Sequence, residues 1–343
     1  MIVSGIRVSA LLVALTCAAT VLQTAAAAEP FRLIVTDLEA PLVPNSVMDL
    51  AVQQGLFEKE GVQVELVRVQ QTPSAIAALR AGEGEMANVS VDSVLQLVGR
   101  DQMDLKAVIS PNKALPFLIA SKAEIGGPAG LEGKSFGVGR VGSLDHALSG
   151  KVLQANGVDP SKLSFVAIGQ PNVRAQALAA GQVDATTMSI GVWMSLPDKA
   201  GLRVLIDQKE YYEAAPVVQK VNVVTDEVLA SRRDDVAAVV RALIGISRDF
   251  AKNPDHWVDQ MAKARPDTSR ENLAELARNY AESWSVNGGL NRKELEFTVD
   301  WAYESPDLEG VRKVELSEWV DFTLIDEALK ASRVHPGMDE PGR

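Results

Sequence analysis

The alternation of strand-like and helix-like segments between residues 31 and 224 constrains the fold more than any other feature of this sequence. Residues 62–69 place apolar side chains at every second position, which is typical of a strand, and residues 74–80 form a helical segment that ends near Gly82. Strands that alternate with helices predict α/β units with mainly parallel strands. After residue 226 the pattern changes, and five helices are predicted at 234–252, 255–264, 269–283, 292–303 and 317–331.

Part of this alternation occurs twice along the chain. Residues 79–90 and 178–189 share a Leu, an Ala, a Gly, an acidic residue and a Ser at a constant offset of 99 residues. A repeated helix–turn–strand stretch predicts two similar α/β lobes in place of one large sheet. In each lobe the serine, Ser90 or Ser189, would follow a strand, and open α/β sheets bind ligands at the carboxyl ends of their strands.

The first 28 residues have the pattern of a secretory signal peptide. Arg7 is the only charged residue before Glu29, residues 8–22 are almost wholly apolar, and four alanines supply a cleavage site. The apolar stretch is shorter than the roughly 20 residues that span a bilayer, although a retained N-terminal anchor is an alternative. Lipid attachment at Cys17 is a second alternative. Cleavage after Ala27 or Ala28 removes the only cysteine, which excludes disulfides, a thiol nucleophile and a cysteine zinc site.

Charge and composition exclude several classes of function. The chain has 34 basic and 45 acidic residues and a net charge of −11, which argues against nucleic acid or an anionic membrane surface as a partner. A small anion is still allowed, because a few local donors can override a weak overall field. The three histidines, His146, His256 and His335, lack metal-ligand spacing, and no nucleophile motif precedes a helix. We therefore expect no enzyme, no metal and no cofactor.

Residues 50–64, LAVQQGLFEKEGVQV, carry the most specific motif. They resemble the A-x-x-x-G-x-F-x-K-E-G signature of nitrate/sulfonate/taurine-type (thiamine-precursor-like) periplasmic solute-binding proteins of ABC transporters. Weaker companion motifs follow in the order of that family, at 78–82, 131–138, 142–143 and 177–185. The resemblance covers roughly residues 31 to 250.

The resemblance implies a two-lobed α/β periplasmic-binding-protein fold of the type II-like class, with a helical C-terminal part. Lobe 1 would contain residues 29–115 and 220–332, and lobe 2 residues 116–219. Two crossings would connect the lobes, near 112–122 and 212–224, and a ligand would be held between them by hinge closure. Residues 333–343 are expected to form a flexible tail because they contain two Pro and two Gly.

The implied function is transport without turnover. An exported, periplasmic substrate-binding protein would capture a small anionic organic solute, such as a sulfonate, a taurine-like compound or a carboxylate. It would deliver the solute to an ABC importer permease in the inner membrane, and we expect a monomer. One alternative is a ligand-sensing subunit of a membrane receptor. Another is an enzyme of thiamine-pyrimidine synthesis on the same fold, but that group relies on a cysteine-rich iron site, which the mature chain lacks.

Residues 137–142 form a G-x-G-x-x-G motif after a predicted strand, and Asp159 follows about 20 residues later. Alone, this spacing indicates a dinucleotide site, but nicotinamide cofactors are scarce outside the cell. The resemblance instead places the second-lobe ligand loop here. Glycines at a helix start let backbone amides approach an anion, and Arg140 could clamp a carboxylate or sulfonate. Arg140, Gly142 and Ser143 are therefore predicted ligand residues.

The remaining predicted ligand residues lie in loops after other strands. Arg174 and Lys113 are the other basic residues near these loops. Asp92 is interpreted as a helix-start charge, although if it faced the cleft it would favour a ligand that carries an amine. The predicted ligand residues of these loops are Pro41, Thr72 and Ser90 in lobe 1 and Thr187, Ser189 and Trp193 in lobe 2.

Overall fold

The structure is a computed structural model that describes residue 1 and residues 29–100, 103–112, 117–142, 144–337 and 339–340. The signal-peptide, Cys17, Lys113 and Ser143 predictions lie outside the described residues. Ten strands lie in these ranges: β1 Phe31–Val35, β2 Val64–Arg68, β3 Met86–Ser90, β4 Leu105–Asn112, β5 Phe117–Lys122, β6 Ser135–Val138, β7 Ser164–Ala167, β8 Ala185–Ser189, β9 Leu202–Ile206 and β10 Lys220–Thr225.

Helices connect and cover the strands. In the described ranges, short 3₁₀ helices occupy Pro44–Ser46, Pro128–Leu131, Pro160–Lys162 and Pro306–Leu308. The α-helices are α1 Val47–Gln53, α2 Leu56–Lys59, α3 Thr72–Arg80, α4 Val91–Gly99, α5 Leu144–Ala155, α6 Pro171–Ala179, α7 Ile190–Ser195, α8 Gln208–Ala214, α9 Asp226–Ser231, α10 Arg233–Lys252, α11 Pro254–Ala264, α12 Arg270–Asn279, α13 Arg292–Ala302, α14 Leu316–Trp319 and α15 Thr323–Ser332.

The strands form two five-stranded sheets of the same design. Sheet A has the order β2-β1-β3-β10-β4, and sheet B has the order β7-β6-β8-β5-β9. The first three strands of each sheet pair in parallel. The fourth strand, β10 or β5, is antiparallel to both of its neighbours. The mainly parallel arrangement that the alternation predicts therefore has one reversed strand in each sheet.

Each reversed strand is the one that follows a crossing between the sheets. Strand β5 follows β4 after residues 113–116, and β10 follows β9 after residues 207–219. Sheet A with its helices forms lobe 1, and sheet B with its helices forms lobe 2. The predicted boundaries at 115/116 and 219/220 fall between the last strand of one sheet and the first strand of the other. The two-lobed α/β architecture is confirmed.

The repeated stretches occupy equivalent places in the two lobes. Glu85, before β3, accepts a hydrogen bond from the backbone N–H of Arg32 in β1 at 2.6 Å. Asp184, before β8, accepts one from the backbone N–H of Ser135 in β6 at 2.9 Å. In each lobe the acidic residue thus ties the start of one strand to the turn before its neighbour.

The C-terminal helices pack on sheet A and hold the loop after β1. Helices α10 to α12 and the segment after α12 contribute an aromatic cluster with ring centroids 5.4–6.3 Å apart, made of Phe250, Trp257, Tyr280 and Trp284. Trp257 donates its Nε1–H to Ser46 Oγ at 3.0 Å, and Tyr280 donates its hydroxyl to the Leu42 carbonyl at 2.5 Å. The helical C-terminal part is confirmed, and it positions an edge of the space between the lobes.

Three element predictions are corrected. A single helix over 317–331 is wrong, because Val320 is extended and bridges Ala107 of β4, so α14 and α15 are separate. Helix α8 has no predicted counterpart, although Asp207 and Glu210 form a capping box at its start. Helix α9 was likewise missed, because it follows β10 directly.

The C-terminal residues have specific contacts. Asp339 is 2% exposed, and its carboxylate accepts hydrogen bonds from the backbone N–H groups of Asn287 at 2.7 Å and Gly289 at 3.0 Å. This part of the predicted tail therefore packs against the loop that follows α12. None of the described helices combines the length and hydrophobicity needed to cross a membrane.

Candidate functional site

A cavity of about 450 Å³ lies between the two lobes. Its walls come from the carboxyl ends of β3, β6 and β8, the start of α6, the crossing segment before β10, and α13. This volume lies in the usual range for a small-molecule site. The cavity is therefore where the sheet edges of both lobes meet, the position in which α/β proteins bind ligands.

Arg174 organises the lobe 2 side of this cavity. The side chain is 5% exposed, and its guanidinium donates to the Gly169 carbonyl at 2.5 Å, the Thr187 carbonyl at 3.2 Å and Thr186 Oγ1 at 3.2 Å. Asp145 Oδ2 lies 3.5 Å from Nη1. Burial lowers the pKa of Arg174, and the charge of Asp145 opposes that shift. The guanidinium thus joins the loop after β7, strand β8 and helix α5.

Buried hydroxyls lie beside this guanidinium. Ser149 Oγ and Thr187 Oγ1 are 2.8 Å apart, and the hydroxyl of Tyr211 is close to both. Tyr211 is 3% exposed, and burial raises the pKa of its phenol, so the hydroxyl keeps its proton. These groups can donate to or accept from a neutral or charged polar group on a ligand.

Aromatic rings form the opposite walls. Phe117 and Tyr211 pack with centroids 5.7 Å apart, and Tyr212 donates its hydroxyl to Glu294 of α13 at 2.5 Å. Trp301 is 6% exposed and lines the cavity. The indole Nε1–H of Trp301 and the Oε1 atom of Gln219 are buried and have no hydrogen-bond partner among the described residues. Buried polar atoms without partners are uncommon, and here a ligand could satisfy them.

Lobe 1 contributes Ser90 and Asp92 at the start of α4. Ser90 donates its hydroxyl to Ser93 Oγ at 3.0 Å. Asp92 is half-buried; burial raises the pKa of its carboxyl, and the Ser90 hydroxyl opposes this shift. Lys220 lies at the same edge of sheet A without lining the cavity, and its ammonium donates to Thr36 Oγ1 at 2.7 Å. Burial lowers the pKa of Lys220.

Three of the predicted ligand residues, Ser90, Arg140 and Thr187, line this cavity. Arg140 is 61% exposed at the cavity mouth, where its Nη2 contacts both carboxylate oxygens of Asp307 at 3.1 Å. Asp92, interpreted from the sequence as a helix-start charge, both begins α4 and faces the cavity.

The other described candidates lie elsewhere. Gly142 donates its backbone N–H to His146 Nδ1 at 3.0 Å, and Ser189 Oγ caps α7 by accepting from Val192 N at 3.3 Å. Trp193 lines a second cavity, of about 540 Å³, beneath α7. The residues of the prediction that do not line the cavity between the sheet edges are Pro41, Thr72, Gly142, Ser189 and Trp193. Their contact with a ligand stays a prediction.

Several cavity residues were missed by sequence reasoning. Tyr211 lies on α8 and Gln219 in the segment between α8 and β10, where no ligand residue was predicted, and Trp301 comes from a C-terminal helix with no ligand motif. Asp145 was overlooked although it lies directly after the glycine motif. Its carboxylate accepts from Gly139 N at 2.8 Å, so the spacing of an acid after G-x-G-x-x-G was the available signal.

Comparisons with known proteins agree with this architecture. Residues 47–256, more than half of the chain, match the family model described as "NMT1/THI5 like". No curated protein sequence matches the chain.

Three solved structures illustrate the similarity of fold. A putative periplasmic sulfonate-binding protein SsuA from Methylobacillus flagellatus KT has a TM-score of 0.72 at 15% identity, covering 89% of this chain and 95% of that one. The aliphatic sulphonate binding protein SsuA from Escherichia coli has a TM-score of 0.66 at 17% identity, covering 86% and 92%. The desulfurization enzyme DSZB has a TM-score of 0.62 at 16% identity, covering 88% and 100%.

At these identities the structural similarity establishes the fold, and the family model establishes the relationship in sequence. The chain belongs to the NMT1/THI5-like family and has the periplasmic-binding-protein fold.

Proposed function

We propose that this protein is the exported solute-binding receptor of an ABC importer. It captures a small organic solute in the cavity between its lobes and delivers the solute to a membrane permease. The observation that carries the proposal is the cavity itself, which joins the strand ends of both lobes and presents buried polar atoms without partners. The signal-like N-terminus and the family relationship support export and transport.

Binding and release follow from a movement of the lobes about the two crossings. A solute that contacts Ser90 in lobe 1 and Thr187 in lobe 2 favours the closed form, because it gains both sets of contacts only there. Closure also removes the aromatic walls from water. The permease then recognises the closed, loaded form, as in other hinge-bending binding proteins.

For the chemistry of the solute, we retain the predicted class of sulfonates, taurine-like compounds and carboxylates. The described cavity walls contain two arginines and two aspartates, Arg140, Arg174, Asp92 and Asp145, so their charges balance. This balance favours a singly charged acid over phosphate. Arg140 is the group that would contact the acid, because it is exposed and its pairing with Asp307 is solvent-accessible and weak.

The test is a binding screen on residues 29–343 with alkyl and aryl sulfonates, taurine, carboxylates, nitrate and pyrimidines. A solute that binds only the native state stabilises it by about 2.7 kcal/mol at 100-fold over Kd, which thermal unfolding detects. Trp301→Phe should weaken binding of the identified solute about fivefold or more in calorimetry, because the indole N–H is lost as a donor.

Trp319→Phe is the matched control for this test. Trp319 is also buried with an unpartnered Nε1–H, but it lies on α14 away from the cavity. Equal loss of affinity in both variants, or no solute that binds the wild type, would contradict the proposed site.

A second candidate function is catalysis on the same fold. It is favoured by the structural similarity to the desulfurization enzyme DSZB. The two functions differ in the fate of the bound solute. A receptor returns the solute with unchanged mass when the loaded protein is denatured, whereas an enzyme converts it during prolonged incubation. Mass spectrometry of the released compound separates the two.

A further inference from the structure

Asp92 places a carboxyl group in the cavity, and none of the basic residues that the structure describes pairs with it. The side chain is half-buried in the first turn of α4 and lines the cavity. None of the described basic residues lies within ion-pair distance of its carboxylate. The acid of Asp307 lies close enough to add to the negative potential.

The basic residues of the cavity walls contact groups other than Asp92. Arg174 contacts Asp145 and two backbone carbonyls, and Arg140 contacts Asp307. Neither guanidinium therefore forms an ion pair with the carboxylate of Asp92. A carboxylate in an apolar enclosure without a cationic partner is costly, and the cost falls when a ligand supplies the cation.

A helix start alone would not make Asp92 a ligand site, but two other features of the same cavity point to a bound molecule. Trp301 and Tyr211 are more than nine-tenths buried and line the cavity. The Trp301 Nε1–H has no hydrogen-bond partner among the described residues. The rings of Phe117, Tyr211 and Trp301 also offer π-faces, which attract ammonium and amidinium groups.

We infer that the cargo carries a protonated amine or amidine that pairs with the Asp92 carboxylate, next to an apolar or aromatic body that contacts the cavity rings. This inference deepens the proposed function and rests on it. An acid group elsewhere in the same solute would make it amphoteric, as in an amino sulfonate or an amino acid. Simple sulfonates and carboxylates without a nitrogen cation would bind more weakly.

Matched pairs of compounds test the inference on residues 29–343. The pairs are taurine and isethionate, benzylamine and benzyl alcohol, and 4-(aminomethyl)benzoate and 4-methylbenzoate. Calorimetry should give at least about tenfold tighter binding for the amine of whichever pair binds. The Asp92→Asn variant should lose this preference for the amine, and it should bind the amine-free compound of the pair with the same affinity as the wild type.

Asp226→Asn is the control substitution. Asp226 occupies the first turn of α9, is exposed and lies outside the cavity, so the amine preference should be unchanged. Circular dichroism and the melting temperature check that Asp92→Asn is folded. A role of Asp92 limited to starting α4 would lower its melting temperature and leave the preference intact.

The outcomes separate this inference from the proposed function. Binding of amine-free compounds with no gain from the amine overturns the inference and leaves the receptor proposal standing. An amine preference that survives in Asp92→Asn also overturns it. Failure of every compound, in the pairs and in the wider screen, overturns both.

Discussion

Arg174 is the single residue on which the lobe 2 side of the cavity most depends. One guanidinium joins a carbonyl of the loop after β7 and a carbonyl of β8 to the carboxylate of Asp145. A lysine could not reproduce this planar set of donors. Arg174 is far in sequence from the signature motif of the family. Its role can be recognised only in the folded structure, where the segments that it contacts lie together.

Arg174→Met should lower the free energy of unfolding by about 3 kcal/mol, because the carbonyl oxygens of Gly169 and Thr187 would lose the guanidinium that donates to them. Arg174→Lys should have an intermediate effect. Urea unfolding followed by circular dichroism measures both. Arg203→Met, on the exposed face of β9, should change the unfolding free energy by less than about 0.5 kcal/mol. A comparable loss in the two methionine variants would refute the role assigned to Arg174.

At the scale of elements, the repeated turn and strand is held by its acidic residue. Burial alone would raise the pKa of Asp184, but the ammonium of Lys122 at 2.7 Å and the N–H and hydroxyl of Ser135 lower it to about 2. The ionised carboxylate therefore stabilises the native lobe above the unfolded-state pKa of about 3.9 and loses this contribution as the pH falls through 2.

Asp184→Asn should lower the unfolding free energy by about 2 kcal/mol at pH 7, and the difference from the wild type should shrink to about half at pH 3. Denaturation at pH 7, 5, 4 and 3 measures this change. Glu213→Gln removes an exposed acid that pairs with Lys209 of the same helix, and it should have little effect at any of these pH values. A pH-independent difference for Asp184→Asn would show that packing, and not charge, is lost.

The elements predicted from the sequence are those whose pattern is local. Strand β2 and helix α3 correspond to the strand predicted at 62–69 and the helix predicted at 74–80. The break between α14 and α15 could not be predicted, because Val320 leaves the helix to bridge Ala107, more than 200 residues away. The capping box of α8 is a local signal from which this helix could have been predicted.

The cavity was predictable only in part, for a similar reason. Residues near the carboxyl ends of strands, such as Ser90 and Thr187, follow from the rule that ligands bind at strand ends. The aromatic wall does not, because Tyr211 and Trp301 come from α8 and a C-terminal helix that meet only in the folded chain.

At the scale of the whole molecule, two ion pairs join the lobes at the cavity mouth. Arg140 contacts Asp307 at 3.1 Å, and Lys151 contacts Glu304 at 3.3 Å. The acids belong to lobe 1, where Gln96 of α4 donates to the Asp307 carbonyl at 3.2 Å, and the cations belong to lobe 2. Because these pairs are exposed, each contributes no more than about 1 kcal/mol to closure, and salt weakens them.

The double variant Glu304→Gln and Asp307→Asn should shift the unliganded protein toward more open forms. Small-angle scattering at low salt should give a larger radius of gyration, and the affinity for the identified solute should fall a few fold. Raising the salt concentration should also shift the wild type toward more open forms. Glu60→Gln breaks a pair within lobe 1, with Arg241, and should change neither quantity. An unchanged radius of gyration in the double variant would show that the two ion pairs at the cavity mouth do not favour the closed form.

The reversed strand in each sheet has a further consequence for the order in which the chain acquires its structure during synthesis. Sheet B uses only residues 117–206, so all of its strands are available as soon as that stretch is complete. In sheet A, β4 pairs with β10 and with Val320, both made after lobe 2. The edge of the first lobe therefore stays open while the second lobe is being made, and the last third of the chain closes it.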